Sequence, residues 1–220
     1  MRPSGRKPDE LRAVAHQRAR AVKLVLASGN PGKLREIGAL LAPLGIELLP
    51  QADLGIAEAE EPHHSFLENA LAKARHASRA SGLPALADDS GLCVPALGGE
   101  PGVHSAYFAG RAGARQERDA RNNEKLLSLV KEARSAYYAC VMVLVRHADD
   151  PLPLVAEGLW RGEIARAPRG ANGFGYDPLF SLPALGKTAA ELDPAEKNRI
   201  SHRAKALNRL LELLRDPDRS

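Results

Sequence analysis

The chain has no apolar stretch long enough to cross a bilayer; its strongest run, Ala139–Val145, has the length of a buried strand. Residues 1–20 are basic and contain no continuous apolar segment, so a secretory signal is not expected there. Cysteine is scarce. Cys93 and Cys140 stand far apart, with no metal-binding or redox spacing, and read as reduced core thiols. A cytoplasmic location is the expectation that these absences leave. Aromatics are also few, four Phe, four Tyr and one Trp, which gives little with which to stack the bases of a nucleic acid. The formal charge of +4 does not revive that reading. Residues 1–23 hold Arg2, Arg6, Lys7, Arg12, Arg18, Arg20 and Lys23 against Asp9 and Glu10, a net +5 that leaves −1 for everything after them. We therefore expect residues 1–21 to be a basic, disordered extension, residues 22–216 to be one near-neutral domain, and no membrane or nucleic-acid partner.

What is present is an ordinary globular composition, 44% hydrophobic and 26% charged over 220 residues, enough to bury a substantial core. Lys23–Ser28 reads as a short strand ending in a Gly-Asn-Pro-Gly turn, followed by a helix at about Lys33–Leu41 with Leu34, Ile37 and Leu41 on one face. A second strand is predicted at Ile46–Leu49. An acidic loop, Asp53–Glu61, leads to Ser65, which with Glu68 forms a capping box for a helix that Gly82 stops. Ala85–Asp88 is predicted as a buried strand ending in carboxylates, Gln116–Ala133 as a helix, and Tyr137–Arg146 and Leu154–Ile164 as strands joined by a turn rich in Asp and Pro. Near the end Asp193 caps a helix with Pro194 at its first position, and Ile200, Ala204, Leu207, Leu211 and Leu214 suggest an apolar stripe. Alternating helices and strands followed by a hairpin imply an α/β fold with a mixed sheet.

Four segments carry chemistry. In Ser28-Gly29-Asn30-Pro31-Gly32-Lys33 a strand enters a tight turn and a helix leaves it, so N–H groups, a positive dipole end and Lys33 can meet a phosphate. It is not a Walker A loop, because Ala27 falls on its first glycine and Leu34 on its Ser/Thr; such a turn can also be purely structural. Asp88-Asp89-Ser90-Gly91 places adjacent carboxylates on opposite sides of an extended chain, so one can face a cleft, and Glu58, Glu60 or Glu61 can supply a second. Magnesium is content with so sparse a set when the substrate brings phosphates. Alternatively, Asp89 and Ser90 merely begin a turn. Asn172–Pro178 sets Phe174 between glycines, where a backbone can approach a ligand while the ring stacks on a flat base, or where a turn simply buries a Phe. Glu196–Arg203 is a charged helical run whose bland reading is a solvated face. His63 and His64 have no ligand spacing.

Taken in order, SGNPGK, the acidic loop before a helix, ADDSGL with LGGEPGVHSA, GFGYDP, and KTAAEL with EKNRISHRAKAL resemble the inosine triphosphate pyrophosphatase family in its bacterial form. The resemblance runs from about Val22 to Leu214. It implies an elongated mixed β-sheet flanked by helices, with two lobes around a central substrate cleft, in a homodimer. It also implies Mg²⁺-dependent hydrolysis of ITP, dITP or XTP to the monophosphate and pyrophosphate. By the same resemblance Ser28, Gly29, Asn30, Pro31, Gly32 and Lys33 grip the triphosphate, and Lys73 faces phosphate from the capped helix. Glu60 and Asp89 hold the metal, and Asp89 is the proton acceptor, with Ser90 beside the substrate. Phe174, Gly175, Tyr176 and Asp177 form the base pocket, completed by Lys197, His202 and Arg203.

Two consequences follow. Lys197 and His202 would stand roughly 140° apart on one straight helix, so if both meet one base the chain must break near Ser201, with Ser201 capping the second helix. Donors from Arg203, His202 or the loop backbone would pair with the 6-carbonyl of a deaminated purine and reject the 6-amine of adenine. Relatives commonly carry Arg where this chain has Tyr107, and no role is assigned to that tyrosine. Competing readings are a Maf-like pyrophosphatase for modified or pyrimidine nucleotides and a nucleotide-binding regulator without turnover.

Overall fold

A computed structural model describes residues 23–42 and 45–216. The basic extension read at residues 1–21 lies outside the described residues. Seven strands form one open sheet in the order β2-β1-β3-β4-β5-β6-β7. β1 (Lys23–Leu26) pairs in parallel with β2 (Glu47–Pro50) and β3 (Ala85–Cys93), the crossovers being made by α1 (Pro31–Leu41) and α2 (Phe66–Ser81). From β3 onward every pairing is antiparallel, through β4 (Ser135–Val145), β5 (Leu154–Ile164), β6 (Phe180–Leu182) and β7 (Lys187–Thr188). The remaining helices are α3 (Arg115–Leu129), α4 (Pro194–Ile200) and α5 (His202–Leu214). No described helix is long and apolar enough to cross a membrane.

The local rules of the sequence are visible in the termini. The Ser65 hydroxyl accepts from the Glu68 N–H and donates to its carboxylate at 2.6 Å, and Gly82 closes α2 in the left-handed region at φ 69°. α1 begins two residues earlier than periodicity suggested, because Asn30 caps it and Pro31 takes the first position, where a missing N–H costs nothing. The break at Ser201 is present. Ser201 ends α4, turns to an extended backbone at ψ 165° and accepts from the Ala204 N–H to start α5. The break also re-phases the stripe: α5 buries Ala206, Leu207 and Leu210, while Leu214 is exposed. α5 lies directly on β5 at Gly158, where a Cβ would fall 2.0 Å from the His202 carbonyl oxygen.

Three apolar clusters result. α2 covers one face of the sheet with Ala70, Ala74 and Ala77 against Ala85, Ala87, Val141 and Val143. α1 and α5 cover the other with Ile37, Leu207 and Leu210 against Leu86, Met142 and Leu144. The third cluster lies at the far ends of the same long strands, where Leu92, Tyr138, Trp160 and Ile164 meet Leu126 of α3 and Phe180. Two halves are thus strung along β3, β4 and β5, and Asp88–Ser90 falls between Leu86 of one and Leu92 of the other.

Candidate active site

β3 does not end at its carboxylates. It continues through Asp88, Asp89 and Ser90 to Cys93, paired with β4 throughout, Asp88 opposite Met142 and Asp89 opposite Val141. β1 is what stops: its last bond to β3 is the Ala27 N–H to the Leu86 carbonyl at 2.8 Å, and the chain then peels off into the Ser28–Lys33 turn. The pleat sends the two neighbours to opposite faces, as an extended backbone requires.

Asp88, fully buried, points to the α1/α5 side. Lys33 Nζ lies 3.0 Å from its Oδ2, and Arg203 donates to the same oxygen from Nη2 at 3.1 Å and Nε at 3.3 Å. Its Oδ1 is buried with no hydrogen-bond partner. Burial opposes ionisation, but Lys33 and Arg203 outweigh it and hold this carboxyl well below its ordinary range. Asp89 points to the α2 side. Asn69 donates to Oδ2 at 3.2 Å, Lys73 Nζ is 3.4 Å from Oδ1, and the Ser90 N–H also donates to Oδ1. Here burial prevails over Lys73 and Lys33, and the Asp89 carboxyl is pushed up. Lys73, although burial disfavours its charge, is raised by Asp89 and Glu61.

The acidic loop contributes differently from its expected register. Glu60 and Glu61 are both exposed; the carboxylate that pairs with Lys73, and through it approaches Asp89, is Glu61. Glu58 reaches the other lysine-bearing segment, its Oε1 lying 1.8 Å from where a Cβ on Gly29 would stand. A Cβ there would meet only the tip of that flexible side chain, which can move aside. At Gly32 the Phe174 ring lies 2.6 Å from the corresponding point, so a Cβ there would displace the ring. In the turn itself the Gly32 and Lys33 N–H groups both donate to Asn30 Oδ1, and the Asn30 N–H to Ser28 Oγ. The turn therefore offers an anion the Lys33 ammonium and close backbone approach rather than a ring of free N–H donors.

Behind Asp88 lies a buried network that the sequence reading missed because it lacked Glu36. Three residues after Lys33, Glu36 shares its helix face and receives Arg203 Nη1 and, at 2.9 Å, Lys197 Nζ. Lys197 also donates to Asp177 Oδ2 at 2.6 Å. Burial works against Glu36, yet Arg203 and Lys197 lower it. Asp88, Glu36 and Asp177 thus balance Lys33, Arg203 and Lys197 charge for charge. Arg203 spends its remaining contact on Ser90 Oγ at 2.9 Å. The guanidinium is thus engaged by protein partners, Asp88, Glu36 and Ser90, where the resemblance implies a contact with the 6-carbonyl of the base.

The Phe174 turn is anchored on every side. Asp177 accepts from the Phe174 N–H at 2.8 Å and from Tyr138 Oη at 3.4 Å. Tyr176 is buried and donates to the Ser105 carbonyl at 2.9 Å. Tyr176 and Asp177 therefore face protein partners, and Phe174 is the turn's half-exposed ring, with Lys197 Nζ 4.8 Å and Arg115 Cζ 4.9 Å from its centroid. His202 stacks on Tyr138 at 4.6 Å and 9°. Burial, then Arg203 and Lys197, depress its pKa well below the ordinary value, and its Nδ1 is buried without a hydrogen-bond partner. Tyr107 carries Arg111 over its ring at 4.3 Å.

Among the described residues no cluster of three or more His, Cys, Asp or Glu side chains is assembled for a metal. What exists is a pair, Asp89 and Glu61, converging on one ammonium. In chemical terms the site is a buried carboxylate between two lysine-bearing helices, with an aromatic ring against the first turn.

Known proteins match this chain over nearly the whole described length. Residues 24–213 match the Ham1 family model. The dITP/XTP pyrophosphatase of Burkholderia pseudomallei is 66% identical over 194 residues, covering 87% of this chain and 93% of that one. The protein of the same name from Ralstonia nicotianae is 65% identical, covering 88% and 96%. Among solved structures, a HAM1 protein from Coxiella burnetii superposes with a TM-score of 0.80 at 48% identity, over 88% of this chain and 98% of that one. The chain belongs to the Ham1 family.

Proposed function

We propose that this protein cleaves the α–β phosphoanhydride of deaminated purine nucleoside triphosphates, ITP, dITP and XTP, to the monophosphate and pyrophosphate, in the cytoplasm and as a homodimer. The observation that carries the reading is Asp89, a buried carboxylate with a raised pKa, flanked by Lys73 and adjacent in β3 to Asp88, which holds Lys33 of the first turn on the opposite face. The names of the Burkholderia and Ralstonia relatives support the substrate class. The Ser28–Lys33 turn and Lys73 neutralise the polyphosphate, and Ser90 lies beside it. Asp89 orients a water whose oxygen bonds to the α-phosphorus as the bridging P–O bond breaks. Asp89 accepts the proton and pyrophosphate carries away the electron pair. Phe174 stacks on the base, with Gly175 allowing close approach, while Lys197 and Asp177 hold the ring in place.

Mg²⁺ suits the pair formed by Asp89 and Glu61, since it takes one or two carboxylates and completes its shell with waters and phosphate oxygens. Bound there, it would supply charge neutralisation and polarisation of the phosphate. Glu61 replaces Glu60 in this assignment because Glu61 is the carboxylate on Lys73.

Pyrophosphate release from ITP, XTP, ATP and GTP, with and without Mg²⁺, tests the reading. ITP and XTP should be preferred by at least about tenfold, the worth of one unpaired buried polar group. Asp89→Asn should fold normally and lose turnover. Wild-type turnover by the folded variant at saturating Mg²⁺ would sink the assignment.

A further inference from the structure

α3 presents Arg115, Asp119 and Asn123 at intervals of four, a single stripe along one face of the helix. All three meet the Phe174 turn. Asp119 Oδ2 accepts from the Gly175 N–H at 3.1 Å, and Asn123 Nδ2 donates to the Gly175 carbonyl at 3.0 Å. Both polar groups of one residue's backbone are thereby held by two side chains of one helix. Arg115, 3.8 Å from Asp119 Oδ2, sets its guanidinium 4.9 Å from the Phe174 centroid. Gly175 is in the left-handed region, φ 64°, a conformation that a free turn would visit among others. The clasp selects it.

We infer that Asp119 and Asn123 are positioning residues for the nucleobase: they fix Gly175, and so aim the Phe174 ring, from a helix that otherwise belongs to the distal core through Leu126. The inference rests on the reading of Phe174 as the base-stacking ring. A turn held at one side only, by Asp177, would let the ring wander and charge each binding event for its ordering. Arg115 adds a cation beside the ring and is itself steadied by Asp119.

The measurement is steady-state turnover of ITP by Asp119→Ala, Asp119→Asn, Phe174→Ala and the double variant Asp119→Ala/Phe174→Ala. Asp119→Ala should raise KM about tenfold with kcat nearly unchanged, the effect of losing a hydrogen bond to a charged acceptor. Asp119→Asn, which keeps an acceptor oxygen, should recover most of it. The double variant should be no worse than Phe174→Ala, since an unheld ring and an absent ring are equivalent. If Asp119→Ala fails to fold, Asn123→Ala poses the same question from the other side of Gly175. An unchanged KM in Phe174→Ala overturns the stacking reading itself. A raised KM in Phe174→Ala, with either no effect of Asp119→Ala or a multiplicative double variant, overturns the positioning role alone.

Discussion

Arg203 shows how burial changes what a basic residue can do. Its side chain is 1% exposed and faces two carboxylates, the fully buried Asp88 and the largely buried Glu36. Removing one partner of such a pair strands the others, a cost of about 3–5 kcal/mol. Arg203→Ala should therefore destabilise the fold by about that amount in denaturant titration. It should also lower kcat/KM for ITP, XTP, ATP and GTP by a common factor, because it loosens Asp88 and Ser90 rather than a base contact. A selective loss for ITP and XTP would return Arg203 to the base. His202 beside it differs in kind. Kept neutral by burial and its cationic neighbours, it contributes a flat stacked ring with an unpartnered Nδ1.

At the scale of elements, the β4–β5 hairpin has the clearest built-in clamp. Asp150 accepts from the Arg146 N–H at 3.0 Å, from its guanidinium at 2.9 Å through each oxygen, and from the Leu152 N–H at 2.9 Å. Hydrogen bonds from Arg146 hold this carboxyl below its ordinary value of 3.8, despite opposing burial. A depressed carboxyl stabilises the fold in full above its unfolded value and loses that contribution as the pH falls through the folded one. Asp150→Asn should accordingly melt lower than the parent at pH 7, and the gap should close progressively as the pH drops below 3.8. A gap independent of pH would mean that the turn is held by shape alone.

The same scale shows what the sequence made legible. Caps and stops were readable from single residues, Ser65 with Glu68, Gly82, and Asp193 with Pro194, whereas the Ser201 break came from helical arithmetic joined to the roles that the resemblance implies for Lys197 and His202. The carboxylates of β3 were found but placed at a strand end, because Ser90 and Gly91 look like turn residues and only the β4 partner reveals nine continuous pairs. Glu36, Asn69, Asp119 and Asn123 were missed as site residues. Each is a polar residue in a helix whose partner lies far along the chain, and helix periodicity carries no information on what the opposite wall will be. The choice between Glu60 and Glu61 fell in a loop, where no period fixes which side chain meets Lys73.

For the whole molecule, the three apolar clusters share three strands, so neither half can unfold alone without breaking β3, β4 and β5 across their middle. A lesion at one end should be felt at the other. Ile37→Ala, in the cluster of α1 and α5, should cost about 3 kcal/mol. The fluorescence of Trp160, the only tryptophan and a member of the distal cluster, should report the same shifted midpoint as circular dichroism. Two separated transitions would show independent halves. The uninterrupted ladder also bears on how a nucleotide gets in. Enzymes with a cleft often open by bending at a flexible joint in its floor. Here the floor is an uninterrupted ladder, with β4 and β5 paired from Ser135–Glu163 to Leu144–Leu154, which bending would have to break. Admission and release must then be the work of the walls. The Phe174 turn is held by Asp177, Asp119 and Asn123, so the wall left to give way is the exposed segment bearing Glu58 and Glu61, which rests on Gly29 and Lys73 through side-chain tips alone.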